Sequence, residues 1–120
     1  MATEIVVDDQ TMPKDLMRFD FAQEMMRSEQ ERPWARGYFV RTLFKNPDFK
    51  MVLISMDKGS ILKEHHAGGT ISIQVLKGSV LFTAQGEDYR LKEKSVLILG
   101  PSIEHKVEAR DDSAFLLTIA

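Results

Sequence analysis

The sequence contains no cysteine. That excludes disulfides, thiolate nucleophiles and zinc sites built on cysteine. It fits a reducing compartment. Neither sign of charge is in excess, since 16 Lys and Arg face 18 Asp and Glu for a formal net charge of −2. Such a balance gives no basic footprint for nucleic acid and no polybasic patch for anionic lipid. No apolar run reaches the length of about 18 residues that a membrane span needs. Near the start, Ile5-Val6-Val7 is too short for a signal sequence, and Asp8-Asp9 follow it. These absences lead us to expect a cytoplasmic protein with no nucleic-acid or membrane partner. Histidine is scarce as well. There are only 3, so any imidazole site must draw on His65, His66 and His105.

What is present is an ordinary globular balance, with 43% hydrophobic and 28% charged residues in 120 positions. That length suits one domain, which can bury roughly two thirds of its unfolded surface and fold without staples. Residues 1–14 read as a polar arm. Residues 15–31 carry apolar side chains at spacings of three and four, with Leu16, Phe19 and Met26 on one stripe. We expect one amphipathic helix there, capped by Asp15 and ended by Pro33. Trp34 reads as an anchor that seats this segment.

After Pro33 the period changes to two. Strands are predicted at 37–45, 49–56, 61–66, 70–76, 80–84, 89–91, 96–99, 105–109 and 114–119. The breaks hold turn residues, among them Asn46-Pro47-Asp48, Lys77-Gly78 and Gly100-Pro101-Ser102. Alternation is cleanest in Thr70-Ile71-Ser72-Ile73-Gln74-Val75, where Ile71, Ile73 and Val75 share one face. Short strands at this spacing imply an all-β antiparallel sandwich or barrel. Residues 1–36 form the arm and helix of this division, and 37–120 form the barrel. Gly68-Gly69 is expected to turn between two strands with positive backbone dihedrals. The mixed charges of Glu87, Asp88, Lys92, Glu93 and Lys94 read as a solvated hairpin edge.

The stretch Glu64-His65-His66-Ala67-Gly68-Gly69 concentrates two of the three histidines. Gly59, five residues, His65, and then Ile73-Gln74-Val75-Leu76-Lys77-Gly78 resemble the first motif of the cupin family. The hydrophobic run 96–99, Gly100-Pro101 and His105 resemble its second motif. The resemblance covers roughly residues 50–120. It implies a double-stranded β-helix, or jelly-roll, barrel. In that family, three histidines and a glutamate usually hold a divalent metal inside the barrel. The match here is partial. Gly59, His65, Gly78 and His105 fit, while the second histidine falls on Ala67 and the glutamate on Ile71. Lys94, Gly100, Ser102 and Ala109 stand where the second motif has glycine, proline, glycine and asparagine, with Pro101 displaced by one. A rival register gives Glu64, His66 and His105. Two imidazoles and a carboxylate suit non-heme iron.

The resemblance therefore implies a small-molecule-binding cupin whose pocket is lined by His65, His105, Ile71, Ile73 and Phe82. A divalent metal (Fe, Mn, Ni or Zn) would be weakly held or absent, because two imidazoles alone leave its shell incomplete. Burying a dication beside Ile71 would also be costly. One alternative is a metal-dependent cupin enzyme of dioxygenase, isomerase or decarboxylase type acting on a small molecule. Another is a non-catalytic dimeric regulatory module. The family resemblance also implies a homodimer joined through outer sheet faces.

Overall fold

The computed structural model describes residues 16–64 and 68–120, the Glu64 side chain excepted. Helix α1 (Phe21–Glu29) precedes nine strands. They are β1 (Tyr38–Asn46), β2 (Phe49–Met56), β3 (Ile61–Glu64), β4 (Ile71–Lys77) and β5 (Ser79–Ala84). After these come β6 (Glu87–Lys92), β7 (Val96–Leu99), β8 (His105–Ala109) and β9 (Ser113–Ile119). They form one sheet ordered β1-β2-β9-β4-β7 and a second ordered β3-β8-β5-β6. Every pairing is antiparallel. The all-β expectation holds.

The core lies between the sheets. Period-two alternation sends Val52, Ile54 and Met56 of β2 inward, with Ile71, Ile73 and Val75 of β4 and Phe115 and Leu117 of β9. From the other sheet come Leu62, Val80, Phe82, Ala84, Leu91, Val107 and Ala109. Branched aliphatic side chains suit this pleated, two-sided packing. The turn into β5 needs glycine. Gly78 has φ +76°, and an added Cβ there would run into the Asp112 carbonyl oxygen and Ser113.

The helix differs from the sequence reading. Its N-cap is Asp20, whose side chain accepts a hydrogen bond from the Gln23 N–H, and Gln30 caps its end. Asp15 lies outside the described residues. Leu16 and Met26 are exposed rather than packed, so two members of the expected stripe are corrected. The buried helix positions are Glu24 and Ser28, flanked by Phe21 and Met25, which pack on Leu43, Leu53 and Leu116. The cause is electrostatic. Glu24 Oε1 accepts from Arg41 Nε at 3.0 Å, with both side chains buried. A charged side chain thus occupies the face that hydropathy alone would assign to an apolar one. Phe19 does pack on this cluster, but from the segment ahead of the helix.

Trp34 acts as the expected anchor. It is buried, its Nε1 donates to the Ser28 carbonyl at 3.0 Å, and the Arg32 guanidinium lies 3.8 Å over its ring. Hydrogen bonds to Glu29 and then to Asp57 hold that guanidinium above its usual pKa range.

A second correction concerns Gly68-Gly69. Neither has a positive φ. Gly69 is needed for a different reason. A Cβ there would collide with the Ala120 carbonyl, where Thr70 and Ala120 exchange backbone hydrogen bonds of 2.8 Å. Among the described residues, no helix is long and apolar enough to cross a membrane.

Candidate functional site at the barrel rim

His105 opens β8, with Val107 and Ala109 following it on the inward face. Its neighbours across the ladder are Ala84 of β5 on one side and Glu64 of β3 on the other. The side chain is 5% exposed. Its ring lies against Phe82, centroids 5.2 Å apart and planes 18° from parallel. Nδ1 is 3.0 Å from the Ile103 carbonyl oxygen. A carbonyl can only accept, so Nδ1 carries a proton, and the ring in its neutral form has its lone pair on Nε2. The imidazole is thereby fixed in both tautomer and orientation. A backbone carbonyl commonly plays this role behind a histidine that binds a metal or a ligand.

A cleft of about 210 Å³ opens beside it, lined by Lys63, Thr83, Ala84, Glu104, His105 and Lys106, with the Gln85-Gly86 turn. It wraps over the end of the four-stranded sheet. Ala84 and His105 belong to the inner face, while Lys63, Thr83 and Lys106 belong to the outer one. A groove of about 320 Å³ lies elsewhere, between α1 and the five-stranded sheet. Its walls include Met25, Met26 and Ala114, with the paired Glu29 and Arg32 at its rim. None of the site residues expected from sequence lines it.

Ile71, Ile73 and Phe82 sit in the apolar core, each at least 98% buried. Ile71 lies between Leu99 and Ile119, and Ile73 between Leu97 and Leu117. Phe82 is the one that touches His105. His65, His66 and the Glu64 side chain lie outside the described residues. Glu64 nevertheless holds the register position opposite His105, two residues on from Leu62, which faces Val107.

Among the described residues, no three His, Asp or Glu side chains converge as a metal site. His105 could supply one donor through Nε2. Ile71, where the resemblance puts a carboxylate, has no lone pair to offer. The described donor set does not complete a shell for a divalent metal.

Sequence reasoning missed Lys63, Lys106 and the Ile103 carbonyl. Each matters only through the pairing of β8 with β3 or through the turn before β8, and neither leaves a periodic trace.

No protein-family profile and no curated protein matches the sequence. Solved structures do resemble the fold. A conserved Streptococcus pyogenes protein of unknown function superposes with a TM-score of 0.72 at 23% identity, over 89% of both chains. A cupin superfamily protein from Desulfitobacterium hafniense gives 0.70 at 14% identity, covering 95% of this chain and 94% of that one. An RmlC-like cupin protein from Desulfovibrio desulfuricans gives 0.64 at 24% identity, covering 88% and 90%. Two antiparallel sheets closed over one aliphatic core, together with these likenesses, give this chain the cupin fold.

Proposed function

We propose that this protein binds a small molecule at the rim of its barrel, against His105, with metal weakly held or absent. The observation that carries this reading is the fixed imidazole. Nδ1 is held by the Ile103 carbonyl and the ring by Phe82, so Nε2 is a pre-oriented acceptor beside an open cleft. Phe82 forms the apolar backing of the imidazole. A cytoplasmic setting agrees with the absence of cysteine.

The test is a thermal-shift screen of metal-free protein against small molecules, repeated on His105→Ala. Binding to the folded state raises its apparent stability. Stabilising compounds whose effect is lost in His105→Ala are expected. An absence of any stabilising compound, alongside tight binding of a divalent metal, would overturn the reading.

A metal-dependent enzyme is the second reading, and one observation favours a particular ligand set for it. The β3–β8 register puts Glu64 directly opposite His105. That supports Glu64, His66 and His105 over a set built on His65 and His105.

A homodimer belongs to the same proposal. The outer face of the five-stranded sheet carries a charge-free row of Ile98, Ser72, Thr118, Met51 and Phe44. Ile98 and Val96 on the edge strand β7 are 69% and 58% exposed. The outer face of the other sheet bears Lys63, Lys106, Asp88, Glu108 and Arg90 instead. Depletion of charge marks the centre of an interface, and an uncharged patch can face its own copy without repulsion.

A further inference from the structure

The fold treats the two nitrogens of the His105 imidazole differently. Nδ1 gives its proton to the Ile103 carbonyl oxygen at 3.0 Å. That carbonyl is itself held. Ile103 packs against the core, and the turn leading to it contains Pro101, which fixes its own φ, and a left-handed Ser102 with φ +64°. Nε2 has no hydrogen-bond partner among the described residues. Within that set, every side-chain nitrogen or oxygen sealed from solvent does have one. Nε2 is therefore not sealed, although the residue that carries it is buried. It reaches open space, and His105 lines the rim cleft. In the neutral ring this atom holds a lone pair and no hydrogen. The Thr83 hydroxyl in the same lining already donates to Asp88 at 2.7 Å, so its hydrogen is committed elsewhere.

We infer that the ligand of the rim site is held through a hydroxyl or amide N–H group, which donates its hydrogen to His105 Nε2. This rests on the reading that the rim cleft is the binding site, and it names the chemistry by which the ligand is chosen. A group that can only accept, such as an ether oxygen, a ketone or a carboxylate, sets lone pair against lone pair at Nε2. It would displace water from that atom and leave it unpaired, which is costly for a buried acceptor. A site built to receive a donor therefore rejects analogues that lack one more strongly than an apolar pocket rejects a change of size. The cleft is about 210 Å³, which suits a molecule of a few carbons. Its described lining sets Lys63 and Lys106 against Glu104 alone, so a cationic donor gains nothing from charge. The class is a small neutral alcohol, polyol or amide.

The experiment is an NMR titration of the ¹⁵N-labelled full chain at about pH 8, where an ordinary imidazole is neutral. The probes are matched pairs. Alcohols and diols of two to six carbons are paired with their methyl ethers, and secondary amides with their N-methyl forms. Carboxylates of the same lengths complete the set. At least one alcohol or amide is expected to shift the His105 Nε2 resonance as an acceptor that has gained a hydrogen bond, with Nδ1 little changed. Its methyl-capped partner should bind about tenfold more weakly, the worth of one hydrogen bond. His105→Phe keeps a flat ring beside Phe82 but offers no acceptor. It should weaken the alcohol or amide about tenfold and leave the capped partner unchanged.

Capped probes that bind at His105 as tightly as their parents, or carboxylates that bind there more tightly than either, would overturn the inference and leave the rim-site reading standing. A free protein in which Nε2 rather than Nδ1 carries the hydrogen would overturn it before any probe is added. Both results are read on the wild-type chain, so they stand even if His105→Phe does not fold. If no probe moves the His105 resonances, the rim-site reading falls and takes this inference with it.

Discussion

His105 and Phe82 stack across adjacent strands, with ring planes 18° apart. Their residues are not direct ladder partners, since Phe82 pairs with Val107 and His105 with Ala84. The contact is therefore diagonal, two residues along the inner face, a distance aromatic rings can reach. It joins the core to the rim cleft. Whatever fixes Phe82 in the core also fixes the imidazole beside the cleft.

The first prediction follows from that contact. Phe82→Ala should cost about 3–5 kcal/mol, because a fully buried ring is lost and a cavity left behind. Chemical denaturation measures it. The variant should also bind rim ligands more weakly than its stability alone explains, because the imidazole loses its backing. Unchanged ligand affinity in folded Phe82→Ala would mean that the stacking does not orient His105.

Glu24 and Arg41 make the second prediction. Removing one member of a buried ion pair strands the other charge away from water, and Glu24→Ala should destabilise by roughly 3 kcal/mol. A double-mutant cycle with Arg41→Met isolates the coupling. Replacing both together should recover much of the loss. Additive single effects would show that the two side chains act independently.

Gly78→Ala is the third. It combines a positive φ with a Cβ directed at Asp112 and Ser113, and should cost roughly 1–3 kcal/mol by thermal or urea unfolding. Gly100→Ala, where an added Cβ meets open space, is the control. Equal effects at the two sites would remove the steric explanation.

Ile98→Lys tests the charge-free face. The position is open to solvent, so folding should be nearly unaffected. A dimer through this face should dissociate, read as a halved mass by light scattering. A wild-type monomer, or a dimer that survives the substitution, would refute the proposed interface.

Metal content is the fifth prediction. Protein purified without tag or chelator, then reconstituted with iron, manganese, nickel or zinc and dialysed, should retain well under one equivalent. His105→Ala should retain no more. A full equivalent lost in His105→Ala would instead establish the metal-dependent reading.

Much of the barrel is legible in the sequence because strand alternation is a local property. Ile71, Ile73 and Val75 announce an inner face within six residues, and Gly78 marks the turn that follows them. The helix is read less well. Its buried face holds Glu24 and Ser28, and the reason for Glu24 lies 17 residues away at Arg41. The site is legible only as a resemblance that singles out His105. What gives His105 its chemistry is a carbonyl two residues back and a ring on another strand. Likewise, Lys63 and Lys106 are unremarkable surface lysines until β3 pairs with β8. Pairing between strands distant in sequence is the information that composition and period do not contain.

The order of the five-stranded sheet bears on how the chain is made. Its middle strand, β9, is the last of the nine to be synthesised, yet it alone bridges β2 and β4. Until β9 emerges from the ribosome, both of those strands present open, apolar edges. Nascent chains with such edges are prone to misassociate. The barrel can therefore close only after nearly all of this sequence has been translated.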